Sequence, residues 1–326
     1  MEITVYKTGY CFDTVITLTA YTSREDSEQA AQILEDALLL CQEYEAKYLD
    51  RFDEESEIGA VNTAQRQALS EETLQSYEIS DVCRELTEAG LYYYDLSDGS
   101  FDLTVTPLSD LWNVTDEDFR VPTEEQIAEA KALVGSDRVK LSGNTLTLGP
   151  GQQLDFGGIA KGYMCEVLRQ FFTENNLPHV IVNFGGNVFV MGGEEDCTVA
   201  VVNPLSEEYA ATVSLSDGYV VTSGIYERGQ EADGVWYHHI IDPATGYPAD
   251  TEIVSATVVM DISVDPDSGV AWHSDALSTM FVLTKTQEGA DELWQRLKAD
   301  EDYAALSQVI LVRKDGAVIF FDENDE

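Results

Sequence analysis

Thr14 to Ala20 alternates polar and apolar residues with period two, so the segment reads as a strand with one buried face. Ile3-Thr-Val-Tyr6 ahead of it has the same strand-like character. From Ser27 to about Tyr48, Ala30, Ile33, Leu34, Ala37, Leu38, Cys41 and Tyr44 recur at helical spacing and predict an amphipathic helix. A second long helix is expected from about Ser70 to Leu96, with Leu74, Val82, Leu86 and Ala89 inward, until Ser97-Asp-Gly99 breaks it. Thr123-Glu-Glu-Gln126 is a capping box opening a helix that stops at Gly135. Short strands around Ser142-Gly-Asn144 predict a hairpin.

The second half has a different rhythm. Asp155 to Gly158 reads as a turn, followed by a helix to about Asn176 and a strand, glycine turn and strand over Val180 to Met191. Further strands are expected near Thr198 to Val202, Tyr219 to Thr222 and Tyr237 to Ile241. Helices from about Trp272 and over Ala290 to Lys298 precede closing strands at Val309 to Val312 and Ala317 to Phe321. Without a regular βαβ alternation, the expected class is α+β with largely antiparallel sheet.

Charge narrows the partners. The 18 basic and 61 acidic residues leave a net charge of -43, which repels nucleic acid and anionic lipid alike. An anionic ligand then needs a local cation or a helix terminus to be held. The five cysteines are scattered without a CxxC pair, which argues against a disulfide framework or a zinc site and for reduced, buried thiols. No stretch reaches the ~18 apolar residues of a membrane span, so direct membrane insertion is not expected. No signal pattern is present, which suits a cytoplasmic chain or one whose export signal or lipid anchor has been removed.

Five segments carry candidate chemistry. Asp155-Phe-Gly-Gly158 followed by Lys161 offers a close backbone approach, free amides and a cation to a phosphate; a plain strand-to-helix turn explains the glycines equally. Asp275 and Thr279 lie at i and i+4 on one helical face, and a carboxylate with a hydroxyl are hard oxygen ligands suited to magnesium. An N-capping aspartate with a surface threonine is the plainer reading. His238 and His239 face opposite sides of a strand, so one of them reaches a site, with His239 a candidate general base. Thr222-Ser-Gly-Ile-Tyr-Glu-Arg228 reads as a turn with a surface ion pair. In Gly99-Ser100-Phe101-Asp102, an aromatic beside a carboxylate suits a flat heteroaromatic ring, although core packing accounts for Phe101 and Trp112 as well.

In their order, FDTVITL (12–18), SEIGAVN (56–62), GSFDLTVTPLSDLW (99–112), DFGGIAKGY (155–163), VNFGGNVFVMG (182–192), TSGIYER (222–228), HHIIDPATGYP (238–248) and SDALSTMF (274–281) resemble the ApbE family of FAD:protein FMN transferases over nearly the whole chain. The resemblance implies one domain over 1–326, with a subdomain division near 150 and FAD and Mg2+ between two interleaved subdomains. It implies metal ligation by Asp275, Thr279 and the Gly158 carbonyl, and contacts to FAD from Phe12, Phe52, Ser100, Phe101, Asp102, Asp155, Lys161 and Ile240. His239 matches a histidine essential in the family. Thr106 and Asn113 stand where the family usually has glycine, so the departures fall on the adenine side.

The implied reaction moves FMN from FAD to a Ser or Thr hydroxyl of a client protein carrying a Ser/Thr-Gly-Ala-Ser/Thr sequence, releasing AMP. The chain carries no such sequence itself, so self-modification is not expected. The rivals are an FAD pyrophosphatase, with water in place of the hydroxyl, and an FAD-binding protein without turnover.

Overall fold

Ile16, Leu18 and Ala20 are fully buried, and their alternation with half-buried threonines makes this segment the second strand of an eight-stranded sheet. The computed structural model describes residues 2–69, 73–193, 196–266 and 268–322. Strands β1 (Glu2–Cys11) and β2 (Thr14–Ser23) are followed by helix α1 (Ser27–Tyr44), a π-helical turn Glu45–Leu49 and α2 (Glu57–Gln67). Next come β3 (Gln75–Glu78), α3 (Asp81–Leu96), α4 (Thr106–Trp112) and α5 (Glu124–Lys131). The hairpin of β4 (Lys140–Ser142) and β5 (Thr145–Leu148) precedes α6 (Ala160–Glu174). Five strands follow: β6 (Val180–Phe184), β7 (Asn187–Met191), β8 (Cys197–Val202), β9 (Tyr209–Leu215) and β10 (Gly218–Gly224). Two small ladders, β11 (Gly229–Ala232) with β12 (Val235–His238) and β13 (Ile241–Asp242) with β14 (Tyr247–Pro248), lead to β15 (Ile253–Asp261). The chain closes with α7 (Ser274–Leu283), α8 (Gln287–Lys298), β16 (Leu306–Arg313) and β17 (Val318–Asp322).

The large sheet runs β1-β2-β6-β7-β10-β15-β16-β17, antiparallel throughout. Helices α1, α6 and α7 cover one face and bury the main core. On the other face the β8–β9 ribbon packs Val201, Val213 and Leu215 onto Val190, Val220, Val259 and Ile310. The expected α+β class with antiparallel sheets and packed helices is what the chain adopts.

Local signals explain several boundaries. Ser56 caps α2 by accepting the Gly59 amide at 3.0 Å, and the Thr123 capping box opens α5 with both of its bonds formed. Four of the cysteines are buried and all five are free thiols.

The helix expected over about 70–96 is instead two elements. Residues 70–72 lie outside the described residues, and Gln75–Glu78 pairs with β5 as a strand. Asn144 then holds Ile79 at both ends, accepting its amide at 2.8 Å and donating to its carbonyl at 2.9 Å. The helix starts only after Ser80, whose Oγ accepts the Cys83 amide at 3.3 Å. Leu74 is accordingly exposed, while Leu86 and Ala89 face the core as expected. The strand expected over Tyr237 to Ile241 breaks after His238, because Ile240 turns its carbonyl to the Ala249 amide at 2.9 Å.

Candidate active site

A cleft of about 990 Å3 opens beside the tip of the β1–β2 hairpin and is walled by segments from eight separate parts of the chain. Every residue singled out from the sequence for FAD, metal or catalysis borders it.

The hairpin tip is Phe12-Asp13, and both residues have positive φ (52° and 55°). A two-residue hairpin turn needs that geometry, which glycine or asparagine supplies without cost and phenylalanine does not. The tip is held from two sides. The Phe12 amide donates to Glu45 Oε1 at 2.5 Å, and Arg228 Nη2 donates to the Asp13 carbonyl at 3.1 Å. The Phe12 ring meets Phe184 edge-on at 5.5 Å. Burial pushes the Glu45 carboxyl above its usual range, with the Phe12 amide opposing.

Arg51, which no local pattern marks, organises the opposite wall. Its Nη1 pairs with Asp110 Oδ1 at 2.5 Å and its Nε lies 3.4 Å from Asp155 Oδ2. Its guanidinium sits 4.0 Å over the ring of Phe52, which is otherwise exposed at the cleft rim. Ser100 and Phe101 border the same region, with Ser97 Oγ accepting the Phe101 amide at 2.9 Å. Asp102 also borders the cleft, but its Oδ1 accepts from the Thr104 amide and from the hydroxyls of Thr104 and Ser136 at 2.6–2.7 Å. That carboxylate ties the loop to the Ser136 turn before it can serve a ligand.

The Asp155-Phe-Gly-Gly158 turn closes on itself through the Gly157 amide, which donates to Asp155 Oδ1 at 2.7 Å. A side chain at Gly158 would sit 3.0 Å from the Phe101 ring. The next relationship shapes the site. Instead of bonding back to Gly158, the Gly162 amide donates to Asp275 Oδ2 at 3.1 Å. No hydrogen bond to the Gly158 carbonyl is formed among the described residues. Such an approach of α6 to α7 requires glycine, because a Cβ at 162 would lie 2.2 Å from the Trp272 carbonyl.

Asp275 is 2% exposed, and its Oδ1 lies 3.5 Å from Lys161 Nζ. One turn along α7, Thr279 Oγ1 is 3.0 Å from Ser223 Oγ. A carboxylate, a hydroxyl and an unengaged carbonyl make a hard-oxygen donor set, suited to magnesium and not to zinc. No group of three or more His, Cys, Asp or Glu able to hold a metal exists among the described residues. A cation here would draw the rest of its shell from water and phosphate oxygens, as magnesium commonly does.

His238 and His239 part as the alternation predicts. His238 is buried with Nε2 donating to the Ala249 carbonyl at 3.1 Å. His239 borders the cleft, its Nδ1 3.2 Å from the Arg228 carbonyl, which also accepts the His239 amide at 3.1 Å. A carbonyl only accepts, so Nδ1 carries the proton and Nε2 is the basic nitrogen. Burial lowers the His239 pKa to about 4, with the Arg228 carbonyl opposing, so the ring is neutral at neutral pH.

Glu227 also faces the cleft and forms no hydrogen bond or ion pair among the described residues. Desolvation raises its pKa, and Lys161 and Arg228 act against the rise. The sequence presents Glu227-Arg228 as a surface pair. In the fold the two diverge, Arg228 towards the hairpin tip and Glu227 into the cleft. Ile240 is buried beside them at the cleft wall.

The model of the ApbE family matches residues 12–304. Among curated relatives, the FAD:protein FMN transferase of Klebsiella pneumoniae (strain 342) is 32% identical over 220 residues, 66% of each chain. That of Treponema pallidum (strain Nichols) is 34% identical over 204 residues, 56% of each chain. The matches thus span less than two thirds of these relatives' lengths. Among solved structures, the ApbE protein of Thermotoga maritima superposes with a TM-score of 0.80 at 28% identity, covering 97% of this chain and 96% of that one. The Pseudomonas stutzeri flavinyl transferase ApbE in its apo form shares the fold at 23% identity, with a TM-score of 0.78 and coverage of 99% and 95%.

Proposed function

Because the chain belongs to the ApbE family, we propose that it splits FAD at the pyrophosphate and transfers the FMN half to a Ser or Thr hydroxyl of a client protein, releasing AMP. The observation that carries this reading is the convergence of Asp275, Thr279, the Gly158 carbonyl, Lys161 and neutral His239 on one cleft. At about 990 Å3 the cleft stands at the large end of the usual ~300–1,000 Å3 range for ligand sites, as a dinucleotide requires.

Asp275, Thr279 and the Gly158 carbonyl would hold Mg2+, which when bound supplies positive charge against the pyrophosphate oxygens. Lys161 adds a fixed cation next to Asp275. Arg51 and the Phe52 ring beneath it offer charge and a stacking face at the rim. The Gly157-Gly158 turn brings backbone close to the ligand ahead of the α6 N-terminus.

In the proposed step the acceptor hydroxyl oxygen bonds to the FMN-side phosphorus. The bond from that phosphorus to the bridging oxygen breaks, and AMP leaves with the electron pair. His239 Nε2 takes the hydroxyl proton, its ring oriented by the Arg228 carbonyl. The chain itself thus contributes positioning and preorganised charge, the usual sources of phosphoryl-transfer catalysis.

With water as the acceptor the same groups give FMN and AMP, which makes pyrophosphatase activity the companion reading. The deciding experiment incubates the protein with FAD, Mg2+ and an acceptor domain containing Thr-Gly-Ala-Thr, then images covalent flavin by in-gel fluorescence. A fluorescent acceptor band supports transfer. AMP release without such a band assigns hydrolysis, and FAD binding without AMP release assigns storage.

A further inference from the structure

We propose that the free edge of β1 is the docking strand for the acceptor polypeptide, taking an extended, uncharged segment of the client by strand addition. The inference rests on the transferase reading and goes beyond it by naming where the client binds.

β1 is a terminal strand of the large sheet and, among the described residues, pairs with β2 alone. Its register is unbroken from Glu2↔Ser23 to Cys11↔Thr14. In a hairpin closed by a two-residue turn, the flanking pair Cys11 and Thr14 exchanges both backbone hydrogen bonds, and every second pair does the same. The odd-numbered residues of β1 therefore bond to β2. The amides and carbonyls of Thr4, Tyr6, Thr8 and Tyr10 point to the open edge. The complementary alternation on β2 agrees, since Tyr21, opposite Thr4, sends its amide away from β1 to the His179 carbonyl at 3.0 Å.

Long flat edges are normally blunted by proline, a bulge, or a charged side chain pointing outward or inward. β1 has no proline or register shift, and its one inward charge, Lys7, is neutralised by Glu35 on α1 at 2.8 Å. In a chain of net charge -43, the outward row from Thr4 through Tyr6 and Thr8 to Tyr10 carries no charge; Glu2, at its far end from the cleft, lies 3.4 Å from His179. Tyr6 and Tyr10 are 69% and 61% exposed. Through Thr19 and Ile181, Tyr6 shares its face with Val190, which the β8–β9 ribbon covers further along. Over β1 that cover has ended.

The geometry also fixes the occupant. β1 runs directly into the cleft at Phe12-Asp13. The Asp13 carbonyl contacts Arg228, and the Arg228 carbonyl in turn holds His239. A segment added along β1 would thus lead a hydroxyl towards the cleft that His239 borders. Strand addition supplies main-chain hydrogen bonds, and alternate side chains of the client read the tyrosine row.

The test uses the whole chain with FAD, Mg2+ and the Thr-Gly-Ala-Thr acceptor domain. Thr8→Pro removes an outward donor without touching the β2 ladder, and Tyr6→Lys places a gatekeeper charge on the docking face. Both should lower kcat/KM for the acceptor at least about fivefold, carried by KM, from the loss of a hydrogen bond or an aromatic contact. FAD affinity and AMP release without acceptor should match the unmodified chain, which also reports folding. Unchanged transfer in both variants overturns the docking strand. So does a dimer of the unmodified chain that Tyr6→Lys dissociates, because a second copy then owns the edge. Absence of covalent flavin with the unmodified chain would overturn the transferase reading itself.

Discussion

The Gly162 amide donates to Asp275 Oδ2 at 3.1 Å, and the Gly158 carbonyl that an ordinary helix turn would have engaged is left without a partner among the described residues. One redirected hydrogen bond therefore orients the buried carboxylate and frees the carbonyl proposed to share a cation with it. Gly162→Ala tests the arrangement. Its Cβ would stand 2.2 Å from the Trp272 carbonyl and 3.0 Å from Asp275 Cβ, so α6 and α7 must part. The expected cost is about 1–3 kcal/mol, with a weaker response of AMP release to Mg2+. Wild-type metal dependence in a folded Gly162→Ala protein would show that the approach of the two helices is not needed.

Asp275→Ala should abolish Mg2+-dependent AMP release, with FAD turnover followed by chromatography across a magnesium titration. Asp275→Asn keeps the Gly162 bond and loses the charge, and should retain the fold with metal response gone. Full activity in either variant would remove Asp275 from the site.

His239 holds its neutral form down to about pH 4. Its protonation should not limit the rate between about pH 5 and pH 8, where an unperturbed histidine would lose half its base near 6.5. A His239→Gln protein should be slower by roughly 10²–10⁴, in transfer and hydrolysis alike, with FAD affinity retained. A rate that falls through pH 6.5 in the wild type and not in His239→Gln would contradict the assigned environment.

Glu227, which forms no hydrogen bond or ion pair among the described residues, brings a carboxyl group to the cleft proposed to hold a pyrophosphate. Glu227→Gln should tighten FAD binding severalfold in the absence of magnesium, measured by quenching of flavin fluorescence. The gain should shrink as salt is added, because screening weakens the repulsion that the substitution removes. Weaker binding would instead mean that Glu227 contacts FAD favourably.

His238 links stability to pH. Burial lowers its pKa to about 4 from 6.5, so between those values the unfolded chain binds the proton and the folded chain does not. The stabilisation that His238 contributes is thus complete above about pH 6.5 and is lost as pH falls towards 4, on the order of 3 kcal/mol in all. Denaturant melts of the wild type and His238→Gln should converge or cross on acidification. Parallel pH profiles would exclude a titrating His238.

Much of this was readable in the residues. The amphipathic α1, the capping box at Thr123, the Ser142-Gly-Asn144 hairpin and the β6–β7 glycine turn are local signals, and the fold keeps them. β15 gave no such signal. Eight of its nine residues are buried, on both faces, so Ser255 and Thr257 sit inside without any alternation to mark a strand. The expected helix at 70–96 lost to sheet pairing by Gln75–Glu78, a tertiary choice that propensity does not contain.

The same limit applies within the site. Asp275 and Thr279 declare themselves by helical spacing, and His239 by its rarity. Arg51 and Glu45 do not, because their partners lie at Asp110, Asp155 and Phe12. From its sequence, Asp102 beside Phe101 suits a flat heteroaromatic ring, and its bonds to Thr104 and Ser136 appear only once the loop is closed.

The cleft draws on residues from Phe12 to Thr279, and α7, which carries two of its oxygen donors, packs against β10 and β15. A nascent chain emerging from the ribosome therefore cannot assemble this cleft until nearly all of it has been made. On the proposed reading, products truncated before α7 lack both the carboxylate and the hydroxyl of the cation site. Assembly order here acts as quality control, with no separate device to enforce it.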